Sequence, residues 1–507
     1  MALPDSRQQV FDFPIAPIGA PRQRRVVKSA RRSGPPLLWL CVYLPALEAD
    51  CLARSGQALA VIRGEGPRQL IVACSAAAGA AGIRPGMRAA AARALLPELL
   101  LCPHDPRRGR AALERLAAWG LQFTSRVHPA APDTLWLEIG ASLRLFGGLE
   151  ALRGRLLEGL AAFGFRCETG IAPTPAAARC LARAGDTVPV RHKESLAGRL
   201  ARLPLDAMGW PKDRCTALAR AGLRTVGDCL RLPRDGLARR YGPGLVRDLD
   251  RMLGRLPEPL ENWQPSECFR AGIDLPVETV SLALLEWPLR CLLEQLVGWL
   301  RGRDGAISRL QLALLHRQEP ATVISLELLR PGRDAGHFQA LLGERLRTVR
   351  LTAPVVGCRL RSDRMRPFVA MTGDFQRAAG DGEEWMGLIE RLRARLGPAA
   401  VNGLETRPRH CPEAAWRPVE PGRVTAATAV AGRPLWLLAE PRPLRVEGGH
   451  PRHIGPLTLE CGPERIETGW WEAEETRRDY YLAREPDGSR LWIFRDRRGW
   501  FLHGLFA

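Results

Sequence analysis

From residue 37 onward, short apolar runs typical of buried strands alternate with segments of helical periodicity. The run "LLWLCVYL" (37–44) predicts a buried strand, and "DTLWLEIG" (133–140) alternates like a strand with one buried face. One face of a predicted amphipathic helix then carries Leu149, Leu152, Leu156, Leu157 and Leu160. Strands that alternate with helices predict a mixed α/β sheet with helices packed on it.

Later parts of the chain follow different patterns. After about residue 203, short helices broken by Gly and Pro predict a small all-α module. From 266 to 364 the order strand, helix, strand, strand, helix, strand indicates a split βαβ arrangement. The predicted fold class is therefore multidomain α/β (α+β), with a small mixed or β region at the C-terminal end.

Two patterns support that C-terminal prediction. A helix is predicted over 384–396, with an apolar stripe of Trp385, Leu388, Leu392 and Leu396. In "RDYYLAREPDGSRLWIFRDRRGWFLHGLFA", a Pro-Asp-Gly turn separates two runs rich in aromatic residues, which predicts a β-hairpin.

The charge of the chain favours a polyanionic partner. The 507 residues carry a formal net charge of +20, and the sequence pI is about 10.4. Such a basic chain favours nucleic acid first and an anionic membrane second. The excess is almost wholly arginine, which an arginine-biased proteome would also produce.

The cysteines and the apolar runs indicate a cytoplasmic protein. Thirteen cysteines are scattered singly, without a CxxC pair or a Cys/His cluster at zinc-ligand spacing, so we expect reduced core residues. The first residues, "MALPDSRQQVFDFP", contain no apolar stretch of signal-peptide length, and no run in the chain approaches the length of a membrane span. The stretch 1–36 is predicted to be a basic, flexible tail that either contacts phosphate or is simply solvated.

The chain resembles the Y-family translesion DNA polymerases, and more closely the ImuB family of polymerase-like mutagenesis proteins of bacteria. Matching segments include "LWLCVYLPALE", "GIRPGM", "DTLWLEIGASLRLFGG" and "GIAPTPAAARCLARAG". "TRPRHCPEAAWRP" and the closing aromatic segment resemble the C-terminal region of the ImuB family. The resemblance covers about residues 37–507.

The resemblance implies a domain order of palm and fingers, thumb, and little finger. The predicted boundaries are 37–204 for palm and fingers (fingers about 61–107), 205–262 for a helix-hairpin-helix-like thumb, 266–364 for the little finger, 365–424 for a linker with a helix, and 425–507 for a partner-binding region.

The same resemblance implies that the catalytic residues have been lost. Active relatives carry two Asp on the first palm strand, where this chain has Cys41 and no acid, and an Asp-Glu pair later, where it has Asp133 and Thr134. One carboxylate cannot hold two dications, so we expect no metal, no cofactor and no catalytic residue. Asp133 is either a vestigial metal contact or a turn residue.

The resemblance also concerns the residues that would hold the incoming nucleotide, and the sequence offers one acid that could substitute for a lost metal ligand. Ala76 and Gly79 stand where Tyr and Arg would hold the triphosphate. Glu138 is a possible second ligand in a weak polymerase, but it lies five residues beyond Asp133, which predicts the opposite face of the strand.

Arginines of the little finger are the better candidates for DNA binding. In the thumb, Lys212 and Arg214 either contact phosphate or are plain surface charge. Strand alternation places Arg359 and Arg361 on one face. The candidates on or beside the predicted strands are Arg309, Arg317, Arg330, Arg359 and Arg361. The alternative is a solubilising face.

The resemblance also implies tethering to the sliding clamp (beta subunit) by a short peptide after the little finger. "QLALL" (Gln311–Leu315) fits by letters but is expected in a buried strand. We prefer the segment formed by Met371, Thr372, Gly373, Asp374 and Phe375, with Phe375 as the anchor.

The C-terminal region is expected either to form a small β core or to expose aromatic anchors. By resemblance it contacts ImuA and an error-prone DNA polymerase III alpha-type subunit. The aromatic set is Trp470, Trp471, Tyr480, Tyr481, Trp492, Phe494, Trp500, Phe501 and Phe506.

The leading hypothesis is a non-catalytic, nucleoid-associated adaptor in DNA-damage-induced mutagenesis. It would hold DNA, the clamp, ImuA and the polymerase subunit together. The alternatives are a weak translesion DNA polymerase and a stand-alone structure-specific DNA-binding protein.

Overall fold

A computed structural model describes residues 37–53, 56–258, 260, 263–368, 379–422, 432–468 and 476–506. The predicted basic tail (1–36), the predicted clamp peptide (371–375), Trp470 and Trp471 lie outside the described residues.

Two sheets make up the part predicted as palm and fingers. The first has the strand order β5-β6-β1-β7, and the second has the order β3-β2-β4. The elements are β1 (Trp39–Tyr43), α1 (Leu47–Leu52), β2 (Leu59–Arg63), β3 (Leu70–Cys74), α2 (Ala76–Ala80), α3 (Ala89–Leu95), β4 (Leu100–Pro103), α4 (Pro106–Gly120), β5 (Val127–Ala130), β6 (Thr134–Glu138), α5 (Leu149–Ala162), β7 (Glu168–Ala172), α6 (Pro175–Arg183) and α7 (Leu196–Leu200).

The two faces of the palm sheet pack against different layers. Leu40 and Val42 of β1 belong to a core shared with α4 and α5. Cys41 of β1 and Trp136 of β6 belong to a separate core shared with α6 and with the helices after residue 196. The strand alternation that the sequence predicted therefore separates two buried faces.

The part predicted as thumb contains α-helices and no β-strand among its described residues. Its four helices are α8 (Lys212–Arg220), α9 (Val226–Arg231), α10 (Arg234–Tyr241) and α11 (Pro243–Met252). A capping box of Thr225 and Asp228 starts α9, with both reciprocal hydrogen bonds present.

The part predicted as little finger has the βαββαβ order, which confirms the fold class predicted from the pattern. Its sheet has the strand order β10-β9-β11-β8 and is antiparallel throughout. The elements are β8 (Cys268–Thr279), α12 (Glu286–Arg301), β9 (Gly305–His316), β10 (Thr322–Gly332), α13 (Ala335–Thr348) and β11 (Val355–Arg364), followed by the short β12 (Arg366–Pro367).

One hydrophobic core joins the palm to the little finger. It runs from Leu40 of β1 through Leu116 of α4 to Leu296 of α12. The indole of Trp119 lies between two helical glycines: a Cβ on Gly159 of α5 would be 2.3 Å from its Cζ2, and a Cβ on Gly298 of α12 would be 2.5 Å from its Cδ1. Only glycine leaves room for the indole at these two positions.

The helix predicted over 384–396 is present but starts earlier. It is α14 (Ala379–Leu396), and it packs against α13 and β10. Its buried residues are Ile389, Glu390 and Ala394. The predicted apolar stripe is exposed instead, at Trp385, Leu388, Leu392 and Leu396.

A separate β domain closes the described chain. Its main sheet has the order β15-β21-β20-β19-β18, so the predicted hairpin is extended by a third consecutive strand. The remaining strands are β13 (Gly403–Thr406), β14 (Trp416–Val419), β15 (Trp436–Pro443), β16 (Arg445–Glu447), β17 (His450–Arg452), β18 (Thr458–Thr468), β19 (Thr476–Arg484), β20 (Arg490–Asp496) and β21 (Gly499–Leu505). Among the described helices of the whole chain, none is long and apolar enough to cross a membrane.

Candidate nucleic-acid interface

Cys41 occupies the centre of the palm sheet, where the Y-family resemblance expects an acid. It pairs with Trp136 of β6 on one side and Gly170 of β7 on the other, and it has no solvent exposure. Burial raises the pKa of the Cys41 thiol well above its ordinary value. The thiol is therefore protonated and packs as an apolar core group. Because only the thiolate is a good metal ligand, Cys41 does not replace the missing acid as a ligand.

Asp133 lies in the turn before β6 and is bound by its neighbours. Its carboxylate accepts a hydrogen bond from the Thr134 hydroxyl at 2.9 Å and is 3.7 Å from the Arg183 guanidinium of α6. The same guanidinium lies 4.7 Å from the ring centre of Tyr43. A cation from the protein therefore stands beside the one carboxylate that matches the family pattern.

Glu138 cannot complete the site with Asp133. It is at the far end of β6, where its carboxylate accepts hydrogen bonds from the backbone N–H groups of Leu38 (3.3 Å) and Gly140 (2.9 Å). Five residues of strand span about 16 Å, too far for two ligands of one ion. We expected Asp133 and Glu138 to lie on opposite faces of one strand. That reason does not apply, since Asp133 precedes β6 and does not belong to it.

A pair of divalent metal ions, which an active palm requires, does not fit these side chains. Hard dications take several oxygen ligands, and carboxylates supply most of the compensating charge. Here one carboxylate faces Arg183, and Arg179 lies over the Trp136 ring at 5.5 Å. In the described parts of the chain there is no group of three or more His, Cys, Asp or Glu residues that could hold a metal ion.

The two positions expected to hold a triphosphate offer only small side chains. Ala76 begins α2 and Gly79 lies within it. The Ser75 hydroxyl caps this short helix by accepting a hydrogen bond from the Ala78 N–H at 3.3 Å. No side chain at either position carries a donor for phosphate.

The two candidate DNA-binding residues of the thumb, Lys212 and Arg214, differ in their contacts with other side chains. Lys212 is the first residue of α8 and is exposed. Arg214 lies 3.8 Å from the Asp248 carboxylate and 5.9 Å from the ring centre of Trp210. Arg214 is therefore partly neutralised by its own domain.

Three little-finger candidates are paired with acids. Arg309 contacts Glu327 at 2.7 Å, Arg317 contacts Glu278 at 2.6 Å, and Arg359 contacts Asp274 at 2.5 Å. These are surface ion pairs, which contribute about 0–1 kcal/mol each to stability.

Strand alternation does not place Arg330 on the face of the other candidates. It follows a register shift in β10 between Glu327 and Gly332, so the alternation of the preceding residues does not carry over to it. It is exposed at the end of the sheet.

A polar row crosses the exposed face of the sheet from β10 to β8. Neighbouring strands pair Ser325 with Gln311, Gln311 with Arg361, and Arg361 with Arg270. We call these four residues the arginine row. Arg361 and Arg270 are exposed, and neither has an acidic partner among the described residues. Like charges placed directly opposite each other destabilise a sheet, so this pair favours a bound anion.

Arg359 is held flat on the sheet beside the row. Its strand partner is Gly272, and a Cβ there would lie 2.2 Å from the Arg359 Cδ. The missing side chain lets the guanidinium reach Asp274 and the carbonyl of Ile273 (3.4 Å). Arg359 and Arg361 share a face, but only Arg361 is free.

Sequence reasoning missed Arg270, Gln311 as a surface residue, and Arg115 of α4. The alternation of "CFRAG" would have placed Arg270 outward, because Phe269 and Ala271 are buried on either side. Arg115 had no such signal, since a contact between a palm helix and the little finger depends on tertiary packing.

"QLALL" is part of the core rather than a clamp peptide. Leu312 and Leu314 are fully buried in β9, as the period-two pattern predicted. The preferred peptide around Phe375 lies outside the described residues.

The described aromatic residues of the C-terminal domain form its interior. Tyr480, Trp492 and Phe494 are buried and in ring contact, and the Tyr480 hydroxyl is 2.8 Å from Nδ1 of His503. Burial lowers the pKa of His503 to about 4. The exposed aromatic side chains among its described residues are Trp416 and Trp436, and Leu435 beside Trp436 is exposed as well. The sequence did not single out these three residues.

Comparisons with known proteins agree with this architecture. Residues 46–183 match the impB/mucB/samB family. Protein ImuB of Caulobacter vibrioides (strain NA1000 / CB15N) is 29% identical over 463 residues, which cover 84% of this chain and 100% of that protein.

More distant relatives include polymerases. DNA polymerase IV of Pseudomonas aeruginosa (strain UCBPP-PA14) is 27% identical over 261 residues, covering 49% of this chain and 73% of that protein. A solved structure, the insertion ternary complex of Dbh DNA polymerase, is 16% identical with a TM-score of 0.38, covering 65% of this chain and 100% of that chain. The chain is therefore similar to Protein ImuB over most of its length, and to the impB/mucB/samB family over residues 46–183.

Proposed function

We propose that this protein is a non-catalytic adaptor in translesion DNA synthesis and damage-induced mutagenesis. It binds DNA and links it to the sliding clamp, to ImuA and to an error-prone DNA polymerase III alpha-type subunit. The observation that carries the proposal is the palm site, where Asp133 faces Arg183 and Cys41 is a buried thiol.

The charges at the palm site support the proposal that the protein does not catalyse nucleotide addition. Phosphoryl transfer to a primer end needs metal ions that neutralise the triphosphate. The lone carboxylate here is already compensated by Arg183, and binding a dication would first require breaking that ion pair. The likeness to ImuB over most of the chain agrees with a polymerase fold kept for binding.

The arginine row supports a DNA contact that does not read sequence. Arg361 and Arg270 lie side by side without an acidic partner in the described parts of the chain, and Gln311 and Ser325 add hydrogen-bonding groups. Contacts of this kind position a protein on the phosphate backbone. Affinity should fall steeply with salt, because each neutralised phosphate releases counterions.

Clamp tethering rests on the segment around Phe375. The competing "QLALL" sequence is excluded as a free peptide, since exposing Leu312 and Leu314 would open the sheet core. Linking weak sites on the clamp, the DNA and a polymerase raises their effective concentration, so modest affinities suffice for an adaptor.

The proposal is tested by reconstitution on a primer-template that carries a loaded sliding clamp. Adding this protein, ImuA and the polymerase III alpha-type subunit should retain the polymerase on DNA, and Phe375→Ala should reduce retention while leaving DNA binding intact. If the protein binds DNA but neither clamp nor ImuA associates with it, the stand-alone DNA-binding alternative is favoured and the adaptor role is refuted.

A further inference from the structure

The arginine row ends at a cavity between the palm and the little finger. The cavity has a volume of about 780 Å³ and lies between α4, β8, β11 and the segment that leads into β8. Four arginines line it, Arg115, Arg270, Arg359 and Arg361, against a single acid, Glu114. Its volume is within the range of about 300–1,000 Å³ that is usual for small-ligand sites.

Arg115 of the palm helix α4 gives this cavity a further cation. Its Nε–H is buried and has no hydrogen-bond partner among the described residues, and its guanidinium interacts with Cys51 of α1 and Asp274 of β8. Burial lowers the pKa of its guanidinium, and the nearby Cys51 and Asp274 side chains offset part of that effect. Because Arg115 lines the cavity, its positive charge favours an anion that binds there.

The other walls suit a base rather than a second phosphate. Trp263 and Pro265 are half-buried on one side, and Gln264 and Ser266 offer exposed polar groups. Aromatic faces next to a basic groove are the usual way in which proteins hold unpaired bases.

A duplex is too large for this space. A cube of 780 Å³ has an edge of about 9 Å, which is less than the width of about 12 Å of the major groove of B-DNA alone. A single unpaired nucleotide is the nucleic-acid unit that the cavity can admit.

We propose that the cavity holds one unpaired nucleotide of single-stranded DNA, with its phosphate on Arg115, Arg270 and Arg361 and its base against Trp263. This inference rests on the proposed DNA-binding function and gives it a preferred substrate. Single-stranded DNA that crosses the arginine row also enters the cavity. Double-stranded DNA contacts only the arginine row.

The test measures fluorescence anisotropy of a labelled 20-nucleotide oligo-dT and of a 20-base-pair duplex with the full-length protein, at several salt concentrations. Arg115→Met should weaken oligo-dT binding about tenfold, the effect of losing one charged hydrogen bond. It should make the salt slope shallower by about 0.7 and leave duplex binding unchanged. Arg110→Met is the matched control, because Arg110 is an exposed arginine on the same helix outside the cavity.

The outcomes separate the two proposals. If the wild-type protein binds neither DNA, the proposed function itself fails. If it binds DNA and Arg115→Met behaves like Arg110→Met, the cavity inference is overturned and DNA binding stands.

A second measurement applies if Arg115→Met does not fold. Wild-type protein is crosslinked to oligo-dT that contains 5-iododeoxyuridine, and the crosslinked peptides are mapped. A crosslink at Trp263 supports the inference, and crosslinks confined to the outer face of the sheet contradict it.

Discussion

Replacing Gly159 by Ala should destabilise the joint between the palm and the little finger. The new Cβ would lie 2.3 Å from Cζ2 and 2.8 Å from Cη2 of Trp119. Carbon atoms pack best at about 3.5–4.0 Å, so the overlap exceeds 1 Å. The indole is flanked by Phe123 and Phe163, with ring centres 5.1 and 5.2 Å away, and Gly298 stands at its other edge.

The size of the effect follows from this confinement. Overpacking a core costs about 1–3 kcal/mol, and replacing a helical Gly by Ala contributes up to about 1 kcal/mol in the opposite direction. Gly154 is the matched control, since it lies on the same helix and a Cβ there would meet nothing within 4 Å. The propensity gain is common to both variants, so the difference between Gly159→Ala and Gly154→Ala should be the full 1–3 kcal/mol, to within about a factor of two.

Thermal unfolding measured by calorimetry distinguishes the two variants. Gly154→Ala should unfold at or above the wild-type temperature, and Gly159→Ala should unfold below it, by about 2–4 °C per kcal/mol for a domain of 150–250 residues. Gly298→Ala, which places a Cβ against Trp119 from the little-finger helix α12, should also lower the unfolding temperature. Equal melting temperatures for Gly159→Ala and Gly154→Ala would show that Trp119 does not lock the two domains together.

Three further predictions concern the little finger. Arg361→Gln should weaken duplex binding and reduce the salt slope by about one, whereas Arg309→Gln, which removes a residue paired with an acid, should have a smaller effect in the same titration. Leu312→Ala should lower the free energy of unfolding by about 2–5 kcal/mol in urea titrations, as for a core leucine and unlike a clamp peptide. The hydrogen bond with Glu390 (2.6 Å) raises the pKa of His337. The stability that charged His337 provides is complete below its ordinary pKa of about 6.5 and is lost as pH rises through the raised value, so the melting temperatures of wild type and His337→Gln should differ most at acidic pH and converge as pH rises above about 6.5.

The little finger was predictable because its strands alternate cleanly. In β9, Leu310, Leu312 and Leu314 are buried, and each intervening residue faces outward, so period two gave both the core and the exposed face. The same alternation put Arg359 and Arg361 together. It did not show that Asp274 neutralises one of them, because that partner comes from another strand.

The errors came from helices whose surroundings the sequence does not specify. The stripe of α14 has core periodicity, yet Trp385 is 62% exposed and the buried contacts are made by Ile389 and Glu390. Glu390 is fixed there by the Leu329 N–H and by His337, both in the little finger. The place of Arg115 in the cavity depends in the same way on how α12 packs against α4.

Primer extension tests the central claim most directly. Purified protein is given an undamaged primer-template and all four nucleotides with either Mg²⁺ or Mn²⁺, beside an Asp133→Ala control, and DNA binding is measured in the same samples. The account predicts salt-dependent binding of the template and no added nucleotide, because the one palm carboxylate that matches the family pattern, Asp133, is paired with Arg183. Extension that Asp133→Ala abolishes would mean that the palm binds catalytic metal ions, and the adaptor account would be wrong.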